Sequence, residues 1–186
     1  MKDSNLSVES VTCGLQPIER YDAETLILGS LPSKRSIQTG EYFAHPRNVF
    51  WRIMGNLVDA HPKRPYPERV ERLIAMRLAI WDVLESAIRP GSLDAAIQRE
   101  SARPNNFRRF LREHLAIQRV CFNGQKAASM FERLVLPGLG SRAGEIQFVT
   151  LPSTSPAHAA MTFEQKLCDW SILKKRPDEG SGGNRS

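Results

Sequence analysis

Residues 25–51, TLILGSLPSKRSIQTGEYFAHPRNVFW, constrain this chain more than any other stretch. The apolar run 25–28 ends at Gly29 and reads as a buried strand. The segment Gly29-Ser30-Leu31-Pro32-Ser33 cannot prolong it, because Pro32 has no N–H to donate and fixes its own φ. A long polar segment carrying Lys34 and Arg35 follows, then Tyr42-Phe43 and His45-Pro46-Arg47-Asn48. An amphipathic helix begins near Val49-Phe50-Trp51. Aromatic, amide and cationic groups gathered on one loop after a buried strand suit a flat, polar ligand. In open α/β sheets, ligands bind at loops leaving the carboxyl ends of strands.

Periodicity along the rest of the chain predicts helices over residues 48–59 and 68–77 and a strand over 78–84. A short helix at 93–98 and a helix opened by Pro104-Asn105-Asn106 follow; the latter carries Phe107, Phe110, Leu111 and Leu115 on one side. Arg108, Arg109 and Arg112 form its solvated face. Strands over 118–122 and 146–151 flank a helix over 125–136, and a last helix runs from Thr162 to about Leu173. The glycines of residues 138–144 lack phosphate-loop spacing and read as a plain connection. Strands alternating with helices imply a parallel sheet covered on both faces. The expected fold is α/β, a three-layer α-β-α sandwich around a four-stranded parallel sheet. Loops 29–48, 123–125 and 152–158 then leave the first, third and fourth strands at one sheet edge. The expected domain spans 13–173, between a flexible leader, 1–12, and a disordered tail, 174–186, rich in Gly, Ser and charge.

At 186 residues the chain has room for one domain with a substantial core. A net charge of +6 and a pI near 9.5 point to an anionic partner. The charge is uneven: residues 31–77 hold nine Lys/Arg against four Asp/Glu, whereas residues 1–24 hold two against five. Cys13, Cys121 and Cys168 are odd in number and widely spaced, which excludes a disulfide framework, a zinc knuckle and a four-cysteine cluster. Reduced thiols, no apolar run of membrane-spanning length and a polar start without a signal-peptide core predict a cytoplasmic protein.

The 25–51 block resembles the first motif of the uracil-DNA glycosylase superfamily: a strand, a G-x-x-P loop, a Phe fourteen residues after the glycine, then a helix. It is most similar to the mismatch-specific branch through Phe43-Ala44-His45-Pro46-Arg47-Asn48-Val49-Phe50-Trp51. Together with G-S-L-P-S, the segment Leu151-Pro152-Ser153-Thr154-Ser155-Pro156-Ala157-His158 resembles the DNA-deoxyinosine (hypoxanthine-DNA) glycosylase family. The resemblance covers roughly residues 12–175.

It implies a uracil-DNA glycosylase-like fold and a monofunctional DNA glycosylase that hydrolyses the N-glycosidic bond of a flipped deaminated base, hypoxanthine foremost. By that resemblance Phe43 stacks on the base and Asn48 assists attack of water, although an Asn at a helix start also caps free N–H groups. Asn123, in Phe122-Asn123-Gly124-Gln125-Lys126, offers a donor and an acceptor to the base edge. Ser30 and Leu31 would line the pocket, with Tyr42 a weaker base contact. Lys34, Arg35, His45 and Arg47 are candidate phosphate contacts. The 152–158 loop resembles the second motif, which enters the minor groove, and brings Ser153, Thr154, Ser155 and His158 to DNA. The implied partner is double-stranded DNA containing a deaminated base, with single strands an open alternative. A monomer suffices, and no metal, organic cofactor or nucleophilic lysine is implied. One departure stands out: two residues after the loop Gly, uracil enzymes carry Asp and mismatch enzymes Asn to orient water, and this chain has Leu31. Two alternatives stay open, a uracil or mismatch-specific glycosylase and a non-catalytic binder of damaged or single-stranded DNA.

Overall fold

Two sheets organise the residues described by the computed structural model, 11–91 and 93–177. In chain order the first elements are β1 (Val11–Cys13), β2 (Thr25–Gly29), α1 (Lys34–Thr39), α2 (Phe50–Val58) and α3 (Tyr66–Ala75). Then come β3 (Leu78–Asp82), β4 (Leu84–Ile88), β5 (Arg103–Pro104) and α4 (Phe107–Glu113). The chain closes with β6 (Arg119–Asn123), α5 (Gln125–Leu134), β7 (Gln147–Leu151) and α6 (Phe163–Trp170).

The main sheet is parallel, in the order β3-β2-β6-β7. Side chains alternate across it and sort the core into two halves. Leu26, Leu28, Ala79, Val120 and Phe122 face α4 and α5, meeting Phe107, Phe110, Ala127 and Phe131. Ile27, Ile80, Cys121 and Leu151 face the other way, onto Phe50, Ile53, Met54, Leu73 and Trp170 of α2, α3 and α6. Burial on both faces explains why β2 reads as an unbroken apolar run. This is the three-layer α/β sandwich expected from the sequence. Its register sets the strand ends level: Gly29 lies opposite Asp82 and Asn123 opposite Leu151.

A small antiparallel sheet, β1-β4-β5, was not foreseen. The predicted strand 78–84 is in fact two. Val83 breaks it, its N–H donating to the Gly29 carbonyl while that of Leu84 donates to Ser30, so β4 turns away to pair with β1. The polar segment read as loop contains α1, capped at its start by Ser33, which accepts the Ser36 N–H, and closed by Gly40 at φ 68°. Leu115 falls beyond the end of α4 and is exposed. Of the expected leader, residues 1–10 lie outside the described residues, and Val11 and Thr12 join β1. Of the expected tail, residues 178–186 lie outside the described residues, while 174–177 are placed.

Arg119, 1% exposed, ties the chain's end to the sheet. Its guanidinium donates to Gln147 Oε1 and to the carbonyls of Ile172, Lys175 and Arg176. Arg119→Met leaves these acceptors without their donor and should cost about 2–3 kcal/mol in urea unfolding; a loss below about 1 kcal/mol would show the tie to be idle.

Candidate active site

Three loops leave the level edge of the sheet and bond to one another. The Val49 N–H donates to the Thr154 carbonyl at 3.1 Å. Asn123 Nδ2 donates to Thr154 Oγ1 and its Oδ1 accepts the Thr154 N–H, both at 2.8 Å. Gly124 takes φ +99°, and a Cβ there would stand 2.8 Å from Ser153 Cβ, so only glycine permits this approach. Asn123 is thus a latch between the second and third loops, and these bonds leave its amide one N–H and one lone pair. Thr154 is 1% exposed and spends its hydroxyl inside the latch, which withdraws its side chain from DNA.

Phe43 stands over this edge with φ +55°, a left-handed conformation rare for an aromatic residue. Its neighbours hold it there. Tyr42 N–H donates to Tyr66 Oη, Trp51 Nε1 donates to the Tyr42 carbonyl, and Ala44 N–H donates to Ser36 Oγ. The half-buried Phe43 ring packs on Phe50 with centroids 4.1 Å apart. Tyr42 is corrected from base contact to core strut: it is 3% exposed, and its hydroxyl donates to the carbonyls of Leu15 and Gln16.

Asn48 does what an N-terminal Asn does, its Oδ1 accepting the Phe50 N–H at 3.0 Å. That bond fixes which way the amide faces. Its NH₂ group has no hydrogen-bond partner among the described residues. His45 Nδ1 accepts the Arg47 N–H and the His45 carbonyl accepts the Asn48 N–H, forming a tight turn. Lys34, Arg35 and Arg47 are exposed. In the third loop, Ser153 Oγ accepts the Ser155 N–H and Ser155 Oγ accepts the Ala157 N–H. The nearly buried Lys166 ammonium donates to the His158 carbonyl at 2.7 Å, pinning the loop's far end.

Sequence reasoning missed Asp82. Placed inside a predicted strand, it is the last residue of β3, opposite Gly29 at the shared edge. The residue is 3% exposed, and its Oδ2 is buried with no hydrogen-bond partner. A Cβ on Gly29 would fall 2.4 Å from Asp82 Oδ1 and 3.8 Å from Phe43 Cε1, so Gly29 leaves room for carboxyl and ring together. Burial pushes this acid up to about 8; the Asp94 charge adds to the rise and Arg89 opposes it. At neutral pH it is therefore a neutral acid, one donor beside one acceptor. The only signal in the sequence is a lone charge within LAIWDVL.

Ser30 and Leu31 are both buried. The Ser30 hydroxyl donates to Asp94 Oδ2, and the Leu31 side chain belongs to the larger core cluster. A separate groove of about 430 Å³, lined by Asn56, Leu57, Glu164 and Leu167, lies between α2 and α6 and includes none of these residues.

Fold and site define an α/β domain that holds an aromatic, an amide and a buried acid at the carboxyl edge of its sheet. The Uracil DNA glycosylase superfamily profile matches residues 17–174, and the chain belongs to that superfamily. A Methanosarcina acetivorans protein named hypoxanthine DNA glycosylase is 35% identical over 161 residues, 86% of this chain and 96% of its own length. A protein of the same name from Methanosarcina barkeri is 33% identical over 115 residues, 61% of this chain and 72% of its own. A solution NMR structure from Methanosarcina acetivorans, solved as a candidate uracil DNA glycosylase, superposes with a TM-score of 0.72 at 28% identity. That match covers 89% of this chain and 98% of the other.

Asp82 also marks the protein's stability. An unfolded Asp ionises near 3.9, whereas this one holds its proton to about 8. Between those values the folded state binds a proton that the unfolded state lacks, so this residue's contribution falls as pH rises from about 4 to about 8. Asp82→Asn should remove that fall and melt above the parent protein at pH 8; parallel curves of melting temperature against pH would refute a neutral Asp82.

Proposed function

We propose that this chain is a monofunctional DNA glycosylase that hydrolyses the N-glycosidic bond of a deaminated base, hypoxanthine foremost, flipped from double-stranded DNA. The observation that carries this reading is the meeting of Phe43 and a neutral Asp82 around Gly29, in a superfamily member whose curated relatives are named for hypoxanthine. Flipping costs a few kcal/mol, offset by stacking on the fixed Phe43 ring and by hydrogen bonds to the base edge. A neutral carboxylic acid matches the N1–H and O6 edge of hypoxanthine, donating to O6 and accepting from N1–H.

As the C1′–N9 bond breaks, its electron pair stays on the departing base, and the Asp82 O–H stabilises the charge spreading to O6. Water then bonds to the oxocarbenium-like C1′ and its proton passes to the departing hypoxanthine anion, leaving a hydroxyl on C1′ and the neutral base. Asn48 cannot take a proton at neutral pH, so it orients that water, with a lone pair left on Oδ1 beyond its cap. Leu31, buried in the core, has no part in this step. Lys34, Arg35 and Arg47 contact phosphates, and the 152–158 loop contacts the opened duplex through Ser153, Ser155 and His158. A cytoplasmic monomer fits three unpaired cysteines, of which Cys121 is buried and its thiol pushed up to about 12 by burial. Uracil is the second reading, because its N3–H and O4 offer Asp82 the same pair of groups.

Duplexes carrying a single inosine, uracil or xanthine, cleaved with alkali after incubation, test the assignment. Inosine should be excised. Uracil-only excision would replace hypoxanthine as substrate, and retention without excision would make the protein a binder. Asn48→Ala should lower excision on the order of a hundredfold with DNA affinity within about threefold. Full activity in that variant would remove Asn48 from the chemistry.

A further inference from the structure

One face of α6 holds both ends of the loop formed by residues 152–158. Trp170, fully buried, donates its Nε1–H to the Pro152 carbonyl at 2.9 Å, where the chain leaves β7. Lys166, 5% exposed, donates its ammonium to the His158 carbonyl at 2.7 Å, where the loop ends. The two donors stand at positions i and i+4, one turn apart on one side of the helix. The helix is anchored at its own start. Thr162 and Gln165 exchange side-chain and backbone bonds in a capping box, and the Arg52 guanidinium of α2 lies 4.2 Å over the Phe163 ring. Trp170 also meets Phe50 of α2 edge to face, with centroids 5.8 Å apart. Counting the Asn123 latch on Thr154, the loop is tied at its start, middle and end. Within it the exposed residues are Pro156 and Ala157.

Packing alone does not call for a lysine at this place. A Met or Leu would fill it without burying an ammonium, which is costly away from water. The charge of Lys166 goes instead to a loop carbonyl. Trp170 repeats the pattern: a Phe would pack, and the indole N–H, the one polar group of the ring, goes to the same loop. Both polar groups sit where only the loop gains from them.

We propose that Lys166 and Trp170 are positioning residues for duplex opening: their bonds to the His158 and Pro152 carbonyls hold the 152–158 loop in one shape, so that it meets the DNA preformed. A loop that parts stacked and paired bases works against their tendency to close, and a slack loop would spend contact energy on its own ordering. The exposed Pro156-Ala157 tip, small and apolar, suits the gap between unstacked bases. The effect is confined to opening. Among the described residues neither Lys166 nor Trp170 hydrogen-bonds to Asp82 or Asn48 or stacks on Phe43, so a base already unpaired should be processed without them. The substrate half of this inference rests on the glycosylase reading; the clamp on the loop does not.

Lys166→Met and Trp170→Phe each remove one donor and keep most of the side chain's bulk. Single-turnover excision is compared on two duplexes, one with inosine paired to cytosine and one with inosine inside a bubble of mismatched pairs, with the fold checked by circular dichroism. Each variant should lose on the order of tenfold on the paired duplex and stay within about twofold of the parent in the bubble. Lys166→Arg, which keeps a donor, should recover most of the loss. Equal losses on both duplexes, no loss on either, or failure of both variants to fold would make the contacts merely structural and overturn the proposal. The fluorescence of 2-aminopurine placed beside the inosine reads opening without chemistry: its rise on binding should shrink in both variants, and a parent protein that gives no rise overturns the proposal. A rise that shrinks in the variants of a protein that never excises inosine upholds the clamp and overturns the glycosylase reading instead.

Discussion

Parallel pairing of β3, β2, β6 and β7 in level register is the constraint on which the rest of the molecule depends. It sets Asp82, Gly29, Asn123 and Leu151 along one edge. Strands about 4.8 Å apart put the four departure points within roughly 15 Å. Apolar burial on both faces fixes that register, because a one-residue slip would exchange Leu26 and Leu28 for Ile27 between the two cores. The loops then lock to each other through Thr154, which receives Val49 from the first loop and Asn123 from the second. The site inherits its shape from the sheet.

Local rules are broken together where the chemistry is proposed. Phe43 takes a left-handed backbone, Asp82 buries a carboxyl oxygen without a partner, and both lean on Gly29, which has no side chain. Each feature alone costs stability, and the surrounding hydrogen bonds to Tyr42 and Ala44 hold the arrangement in place. A fold selected only for stability would place an apolar residue at position 82 and relax Phe43. Violations that coincide at one sheet edge are the physical mark of a working site.

Much of this was legible in the sequence, and what was not has specific causes. The Thr25–Gly29 strand, the helices α2 to α6 and the convergence of three loops follow from periodicity and from Pro and Gly punctuation. The α1 helix was missed because its six residues show no apolar stripe, although Ser33 and Gly40 mark its ends. The break at Val83 could not be seen, because LAIWDVL carries no Gly or Pro and the bend comes from pairing with β1, far off in sequence. The bonds that Asn123 and Tyr42 make could not be seen for the same reason. Their partners, Thr154 and the carbonyls of residues 15 and 16, are distant in the chain and adjacent only in the fold. Asp82 hid within an apolar run whose core-forming role is real. Only burial and an empty hydrogen-bonding position single it out.

The most direct test is a structure of the protein bound to a duplex holding one non-hydrolysable deoxyinosine analogue. The account predicts an extrahelical hypoxanthine stacked on Phe43, with O6 and N1 within hydrogen-bonding distance of the Asp82 carboxyl. A base left in the helix, or lodged elsewhere with Asp82 still sealed and unpartnered, would contradict it.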